Sequence, residues 1–296
     1  MKVLVLGGAG MLGHKVVQTL GRHGLETWCT VRDAAPGPLD TLGIAPPSRV
    51  IAGVDAMDID QVERLVLELR PDAVVNCVGV IKQRDAAKAA IPSITVNALL
   101  PHRLAAALQP IGGRLIHFST DCVFSGRRGD YREDDVPDAE DLYGRSKLLG
   151  EVATENALTL RTSIIGRELR HHGSLLDWFI SQEGGSVRGF TRAWWSGVTT
   201  LHLAELVGRV LVGHPELSGV YQVAGRKISK HDLLVALREA LGLQVEIVPD
   251  DDFHIDRSLS GDRLAAAIGY RAPGWEVLLG ELADDPTPYG QLVPAA

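Results

Sequence analysis

The chain has 296 residues, of which 45% are hydrophobic and 23% are charged, and it carries a formal net charge of −7. This composition is typical of a soluble globular protein with two coupled lobes, and the negative charge argues against broad binding to nucleic acid or to anionic membranes. The N-terminal apolar run is too short for a signal-peptide core, and no run reaches the roughly 18 residues of a membrane span, so we expect a cytoplasmic protein. Its three cysteines, Cys29, Cys77 and Cys122, lack metal-ligand spacing, so we expect free buried thiols and no metal site.

Strand and helix patterns alternate along the first half of the chain. Short apolar runs predict strands at residues 3–6, 26–31, 49–55, 73–80, 114–120 and 157–163. Amphipathic patterns predict helices at residues 11–20, 58–70 and 97–108, with Pro101 delaying or kinking the last of them. This alternation predicts βαβ units and therefore an α/β fold, a doubly wound parallel sheet of the Rossmann type with helices on both faces.

The second half of the chain is less regular. A helix is predicted at residues 198–213 and a strand at 219–225, and the tail repeats a helix-then-strand pattern without a long linker. We therefore expect a smaller C-terminal lobe that is interleaved with the first. Residues 1–165 with about 195–225 are assigned to the first lobe, and about 166–194 with 226–296 to the second.

A glycine-rich loop joins the first predicted strand to the first helix. The segment GGAGMLG places Gly7, Gly10 and Gly13 three residues apart. Glycines let the backbone turn tightly and approach a pyrophosphate, and the helix N-terminus supplies free N–H groups and a positive dipole end. The loop, which includes Met11 and Leu12, is predicted to bind a dinucleotide; a glycine-rich turn without a ligand is the alternative.

Charged residues follow the second and third predicted strands. Arg32 and Asp33 stand where an arginine would meet a ribose 2′-phosphate and a carboxylate would accept from a free 2′-OH. Because Arg32 comes first, we favour NADPH as cofactor, with NADH as the alternative. Asp55 could accept a hydrogen bond from the adenine amino group or cap its own loop.

Four further segments carry a resemblance to a known family. They are NCVG (76–79), the helix residue Asn97, STDCVFSG (119–126) and YGRSKLLGE (143–151). Together with the glycine loop, this set resembles the extended short-chain dehydrogenase/reductase family and, within it, the dTDP-4-dehydrorhamnose reductase-like group. The resemblance is most specific over residues 1–165. It makes the first lobe the NADP-binding domain, with Cys77, Val78 and Gly79 beside the cofactor, and the second lobe the substrate-binding lobe.

Tyr143 and Lys147 are the predicted proton-donating pair. Positions i and i+4 share a helix face, so Lys147 can lie beside Tyr143, lower the pKa of the phenol electrostatically and hold the nicotinamide ribose. Thr120 is predicted to hydrogen-bond the substrate carbonyl, with Ser119 as the rival hydroxyl, because strand alternation turns only one of the two toward the site. By the resemblance, Asn97 supports a water near the lysine.

The residues after the fifth strand, together with Trp195 and Arg257, bear on the substrate. Related dehydratases place Asp-Glu there, and the Asp121-Cys122 pair disfavours water elimination because a thiol is a poor replacement for that glutamate. Cys122 also replaces an aromatic residue that is common in the reductase group. The residues predicted to contact substrate are Asp121, Cys122, Val123, Trp195 and Arg257. Trp195 would stack on a base or sugar, or else pack in a core, and Arg257 would pair with a diphosphate, or else with a neighbouring acid.

Taken together, these features predict NADPH-dependent reduction of a 4-keto-6-deoxy sugar nucleotide, dTDP-linked by analogy. Two alternatives keep the fold: a sugar-nucleotide epimerase or dehydratase, and a non-catalytic NADP-binding regulatory subunit. The expected partner is a nucleotide sugar, with no nucleic acid or membrane, and a homodimer is compatible with the sequence.

Overall fold

The computed structural model describes residues 1–81, 89–170 and 172–292, and its centre is a parallel sheet. Within these residues the sheet has seven strands in the order β11-β6-β5-β4-β1-β2-β3. Their bounds are β1 Lys2–Leu6, β2 Glu26–Thr30, β3 Val50–Ile51, β4 Ala73–Asn76, β5 Arg114–Thr120, β6 Ala157–Thr162 and β11 Gly219–Gln222. The predicted α/β doubly wound fold is confirmed.

The strand order reverses between β1 and β4. Both neighbours of β1 are parallel to it, with Val5 opposite Cys29 of β2 and opposite Val75 of β4. In a doubly wound sheet, ligands bind in the crevice beyond the carboxyl ends of the strands at such a switch point. The ends of β1, β4 and β5 therefore mark the place where a site is expected.

Alternation along β1 divides the interior into two cores. Val3 and Val5 face one apolar cluster, and Leu4 and Leu6 face the other, and all four side chains are buried. Helices α1 (Gly13–Arg22) and α8 (Thr200–Gly213) cover the first face, while α3 (Ile59–Leu69) and α5 (Leu100–Leu108) cover the second. Burial on both faces explains why these strands read as continuous apolar runs.

The helix predicted at 97–108 begins earlier than expected. A short helix α4 (Ala90–Pro92) continues through a π-helical stretch, Ser93–Leu99, into α5. Pro101 has no N–H to donate to the carbonyl of Asn97, four residues before it, so a regular α-helical ladder cannot run through this point. The freed carbonyl faces Gly150, where a side-chain Cβ would overlap it.

Segments of the second half build a separate apolar cluster. It is formed by α7 (Leu175–Ile180), β8 (Ser186–Phe190), β9 (Ala193–Trp195), α9 (Lys230–Leu241) and α11 (Trp275–Ala283), with Trp195 stacked on Trp275. Shorter strands complete this half: β7 Ile164–Ile165, β10 Val198–Thr199, β12 Ile228–Ser229, β13 Glu246–Asp250 and β14 Ile255–Asp256.

The C-terminal segments do not all join that cluster. Leu264 and Ile268 of α10 (Asp262–Ile268), with Tyr270 and Tyr289, pack in the first core, against the sheet and α8. The C-terminal segments therefore contribute both to the first core and to the separate apolar cluster. The predicted lobe boundaries stay a prediction. No helix in the described ranges is both long and apolar enough to cross a bilayer.

Candidate active site

The glycine loop is held in a tight turn between β1 and α1. Gly7 has a positive φ of 78°, and its carbonyl accepts from the Gly10 N–H at 2.9 Å. A Cβ at Gly13 would overlap the Gly7 carbonyl, so only glycine fits where the helix meets the turn. The loop thus forms a backbone cradle at the N-terminal end of α1, which suits a pyrophosphate.

The segment after β4 lies against this cradle. A Cβ at Gly7 would come within 2.9 Å of Val78 Cγ2 and within 3.5 Å of the Cys77 backbone. Cys77 donates its N–H to the Leu6 carbonyl at 3.1 Å, which joins the two strand ends. Cys77 and Val78 are half-buried and Gly79 is exposed, so the structure brings the NCVG segment to the edge of the predicted cofactor crevice.

The residues after β2 form an ion pair that the sequence did not indicate. Arg32 is exposed, whereas Asp33 pairs with Arg170, which reaches it from the loop after β7. Gly37, with φ of 56°, leaves room for Arg170: a Cβ there would lie 2.5 Å from its guanidinium. The carboxylate that would favour a free 2′-OH is therefore partly neutralised by a second arginine.

Asp55 caps its own loop. Its Oδ1 accepts from the Met57 N–H at 3.0 Å, and its own N–H donates to Gln61 Oε1 at 3.0 Å. The side chain is exposed beside the start of α3. The observed contacts are those of the loop-cap alternative, and the adenine contact stays a prediction.

Tyr143 is placed by its neighbours on α6 (Leu142–Leu149). Asp141 caps this helix by accepting from the Gly144 N–H at 2.8 Å. A Cβ at Gly144 would overlap the carbonyl of Cys122, so the glycine lets the helix start approach the segment after β5. The phenol consequently lies beside Thr120 and Cys122.

The pKa of the Tyr143 phenol is raised, not lowered as the Tyr–Lys pattern predicted. Burial is the main cause, the nearby Cys122 raises it further, and hydrogen bonding with the Thr120 side chain opposes both. A raised pKa keeps the phenol protonated at neutral pH. A phenol of ordinary pKa is protonated there as well, so the raised pKa makes Tyr143 a weaker acid without changing its charge.

Lys147 is buried and bonded to the backbone. Its ammonium donates to the Phe118 carbonyl at 2.6 Å, and burial lowers its pKa to about 8, opposed by the charge of Glu151. The lysine is anchored at β5, one turn along α6 from Tyr143, and its charge is not a main influence on the phenol. This explains why the expected lowering of the Tyr143 pKa is absent.

The structure separates the two rival hydroxyls at the end of β5. Ser119 donates to Glu151 Oε1 at 2.7 Å, and Arg161 binds both oxygens of the same carboxylate at 2.8 Å. Thr120 instead faces Tyr143 and donates to Asp121 Oδ1 at 3.2 Å. The two hydroxyls therefore point to different partners, as alternation along a strand requires, and the substrate contact of Thr120 stays a prediction.

The side-chain amide of Asn97 forms hydrogen bonds with other groups of the protein. Its Oδ1 accepts from the Val80 N–H at 2.8 Å, and its Nδ2 donates to the Val80 carbonyl at 3.0 Å and to Ser146 Oγ at 3.2 Å. It therefore ties the segment after β4 to α6. Its observed contacts are those of a scaffold residue; the predicted water near Lys147 stays a prediction.

The predicted substrate residues after Thr120 lie together, with Arg257 of the second lobe. Asp121 and Val123 are buried and Cys122 is half-buried. Burial raises the pKa of Asp121 against the opposing charge of Arg257, and it raises the pKa of the Cys122 thiol to about 12. Arg257 donates to the Phe124 carbonyl at 3.0 Å, and among the described residues no carboxylate pairs with it, so its predicted intrachain salt bridge is not seen.

Trp195 is a core residue of the separate apolar cluster. Its side chain is 4% exposed, with its ring centroid 5.2 Å from that of Trp275. The packing alternative of the sequence analysis therefore describes it, and stacking on a nucleotide base is disfavoured because little of the ring is accessible. The ring does contact one functional group, the Lys230 ammonium, at 4.2 Å from its centroid.

Sequence reasoning missed Arg170 and Lys230. Both come from the second half of the chain and approach residues of the first, so no local motif brings them into view. A lysine at the start of an amphipathic helix, where the dipole disfavours a cation, was the available signal for Lys230.

The chain is similar to several known proteins. The family model "RmlD substrate binding domain" matches residues 1–251. The dTDP-4-dehydrorhamnose reductase of Burkholderia thailandensis is 31% identical over 168 residues, which are 55% of this chain and 50% of that protein. Methionine adenosyltransferase 2 subunit beta of Bos taurus is 25% identical over 255 residues, 82% of this chain and 72% of that protein.

A solved structure with the same fold is the dTDP-4-dehydrorhamnose reductase of Bacillus anthracis in complex with NADP. It matches with a TM-score of 0.78 at 20% identity, covering 95% of this chain and 98% of that chain. The family expected from the motifs is confirmed: the chain belongs to the RmlD substrate binding domain family.

Proposed function

We propose that the chain reduces the 4-keto group of a 6-deoxy sugar nucleotide with NADPH as hydride donor. The family match and the reductase relative support the coarser assignment, an NAD(P)-dependent oxidoreductase that acts on a nucleotide sugar. The observation that carries the proposal is the meeting of Tyr143 with Thr120 at the end of β5, one strand from the switch point.

The residues at the switch point fit a dinucleotide. The cradle of Gly7, Gly10 and Gly13 leaves space that any Cβ would fill, and it opens at the N-terminus of α1. NADPH bound there would supply the hydride. The Val78 side chain and the Cys77 backbone would line the crevice beside it.

Residues of this chain would supply the proton that the carbonyl oxygen of the substrate receives. On substrate binding, the Thr120 hydroxyl would turn from Asp121 Oδ1 to donate a hydrogen bond to the substrate carbonyl oxygen. Tyr143 would give its phenolic proton to the same oxygen as the hydride reaches the carbon. The products are the alcohol and NADP⁺, and the phenol regains a proton from solvent. Lys147, held by the Phe118 carbonyl, supports the cofactor side of the site.

The preference for NADPH over NADH rests on two arginines. Arg32 is exposed at the end of β2, and Arg170 offsets the charge of Asp33 beside it. A 2′-phosphate carries negative charge that an unpaired Asp33 would repel. The pair of guanidinium groups therefore favours the phosphorylated cofactor.

Replacing Tyr143 with phenylalanine tests the reaction. We expect Tyr143→Phe to lower kcat by about 10²–10⁴-fold, because a general acid contributes that range, while NADPH still binds. The assay is NADPH oxidation with a panel of 4-keto sugar nucleotides, and Tyr221→Phe, on β11, is the matched control. Unchanged turnover by Tyr143→Phe would exclude the proposed proton donor.

A second candidate is a nucleotide-binding subunit without turnover. It is favoured by the match to a chain named as a subunit of methionine adenosyltransferase 2, which covers more of this chain than the reductase match does. Tight NADPH binding without oxidation on any sugar nucleotide would support this candidate. An epimerase would convert its substrate without net consumption of NADPH, so NMR analysis of the sugar product distinguishes it from a subunit without turnover.

A further inference from the structure

Lys230, the first residue of α9, is a cation that forms no ion pair with the residues that the structure describes. Its ammonium lies 4.2 Å from the centroid of the Trp195 ring, and within the described ranges no carboxylate forms an ion pair with it. Lys227, three residues earlier, offers a contrast. Lys227 also lies over a tryptophan, Trp194, at 5.5 Å, but it donates to Asp256 at 2.6 Å.

The position of Lys230 disfavours its own charge. It is the first residue of α9, where the positive end of the helix dipole repels a cation. Its surroundings are also poorly hydrated, and burial lowers its pKa to about 8. Contact with Trp195 offsets only part of this cost, since a cation over an aromatic ring is a modest stabilisation. A charge kept at such a place is typical of a binding group.

The ammonium faces the candidate active site. The two groups whose charges act on it most are Asp121 and Cys122, the residues that directly follow Thr120. Arg257 acts on the same two side chains from another segment of the second lobe.

We propose that Lys230 binds an anionic oxygen of the substrate, supplied by the diphosphate of the sugar nucleotide or by a carboxylate on its sugar. The inference rests on the proposed function, because it names a contact in that same pocket. Arg257, whose guanidinium has no carboxylate partner in the described part of the chain, would share the charge. Substitution of the two lysines should therefore have different effects on ligand binding. Within the described residues, Lys227 forms an ion pair with a carboxylate and Lys230 does not.

The test is calorimetric binding of dTDP, UDP and their glucuronic acid conjugates to the full chain loaded with NADPH. We expect Lys230→Met to weaken the tightest of these ligands by about 10-fold to 100-fold, the range for one hydrogen bond to a charged group. Lys227→Met should leave that affinity within about twofold of wild type. If Lys230→Met binds dTDP or UDP more weakly than wild type, the diphosphate is the anion. If only its binding of the glucuronic acid conjugates is weaker, the carboxylate is the anion.

A stability measurement separates binding from scaffolding. Because the charge of Lys230 is half-buried at the positive end of a helix dipole, Lys230→Met should unfold at the same temperature as wild type or higher. A lower melting temperature with unchanged affinity would overturn the inference, as would a wild-type chain that binds none of these ligands. Lys230-dependent binding without any NADPH oxidation would refute the reductase function and leave this inference standing.

Discussion

Tyr143 shows how single residues acquire a chemical role from their neighbours. Asp141 caps the helix start, Gly144 lets it touch the Cys122 carbonyl, and Thr120 turns its hydroxyl toward the phenol. Lys147, the other half of the recognisable pair, is bound to the Phe118 carbonyl instead. The local environment therefore raises the pKa of the phenol, although the pattern Tyr-x-x-x-Lys predicted the opposite.

A single contact, between Arg170 and Asp33, is also expected to influence cofactor preference. Arg170 pairs with Asp33, so Arg170→Ala should leave that carboxylate free to repel a 2′-phosphate and to accept from a 2′-OH. We expect the affinity for NADPH to fall about tenfold relative to that for NADH, since the arginine acts on one phosphate. Fluorescence titration of both cofactors measures this ratio without any sugar substrate.

Arg188→Ala is the matched control for this prediction. Arg188 also pairs with an aspartate, Asp250, but on the strands β8 and β13 of the second lobe. Equal changes in NADPH and NADH affinity for Arg170→Ala would show that the arginine only supports the loop.

Among the elements, α1 is coupled to the end of the chain. Lys15 binds Asp285 at 2.6 Å and donates to Thr287 at 2.7 Å, and His14 Nε2 lies 2.8 Å from the Tyr289 hydroxyl. The other ring nitrogen of His14 lies 2.9 Å from the carbonyl of Gly10 in the cradle. The segment 285–289 therefore braces the helix that presents the glycine loop.

The buried His14 in these contacts predicts that the free energy of unfolding depends on pH. Burial lowers the pKa of His14 to about 4, below its unfolded value of 6.5. The unfolded chain then binds the proton more readily, so stability falls as pH drops from 6.5 toward 4, by at most about 3 kcal/mol. Chemical unfolding at several pH values should show this slope in the wild type and a weaker slope in His14→Gln. An equal slope in both proteins would show that other groups dominate this pH window.

At the scale of the whole molecule, three neighbouring elements carry exposed apolar side chains: α4, the π-helical stretch and α6. The π-helical stretch packs against α6, and the exposed residues are Ile91, Ile94, Leu99 and Leu149. A standard protein interface buries about 800 Å² of surface per partner and has an apolar centre. We therefore expect this exposed apolar face to form the centre of a homodimer interface.

Light scattering after gel filtration tests the dimer. Ile94→Asp with Leu149→Asp should convert it to a monomer, because each substitution would bury an unpaired charge in the interface. The matched control is Val212→Asp, an exposed apolar residue on α8. A wild-type monomer at assay concentrations would refute the dimer, and a dimeric double variant would place the interface elsewhere.

The sequence by itself determined the parallel sheet, the glycine loop and the choice of Tyr143 and Thr120 as candidate site residues. Strand and helix periods are local, and so are the turn that Gly7 and Gly13 require and the spacing of Tyr143 on its helix. These features follow from neighbours within a few residues, which is why the parallel sheet and the family could be predicted.

Only the tertiary structure decided which partners these groups meet. Arg170 reaches Asp33 across more than a hundred residues of chain, and Lys230 approaches the pocket that follows Thr120. The pKa of Tyr143 depends on burial between β5 and α6, and the end of α1 depends on Asp285. Burial and charge are properties of packed segments that are distant in sequence, so no local pattern could determine them.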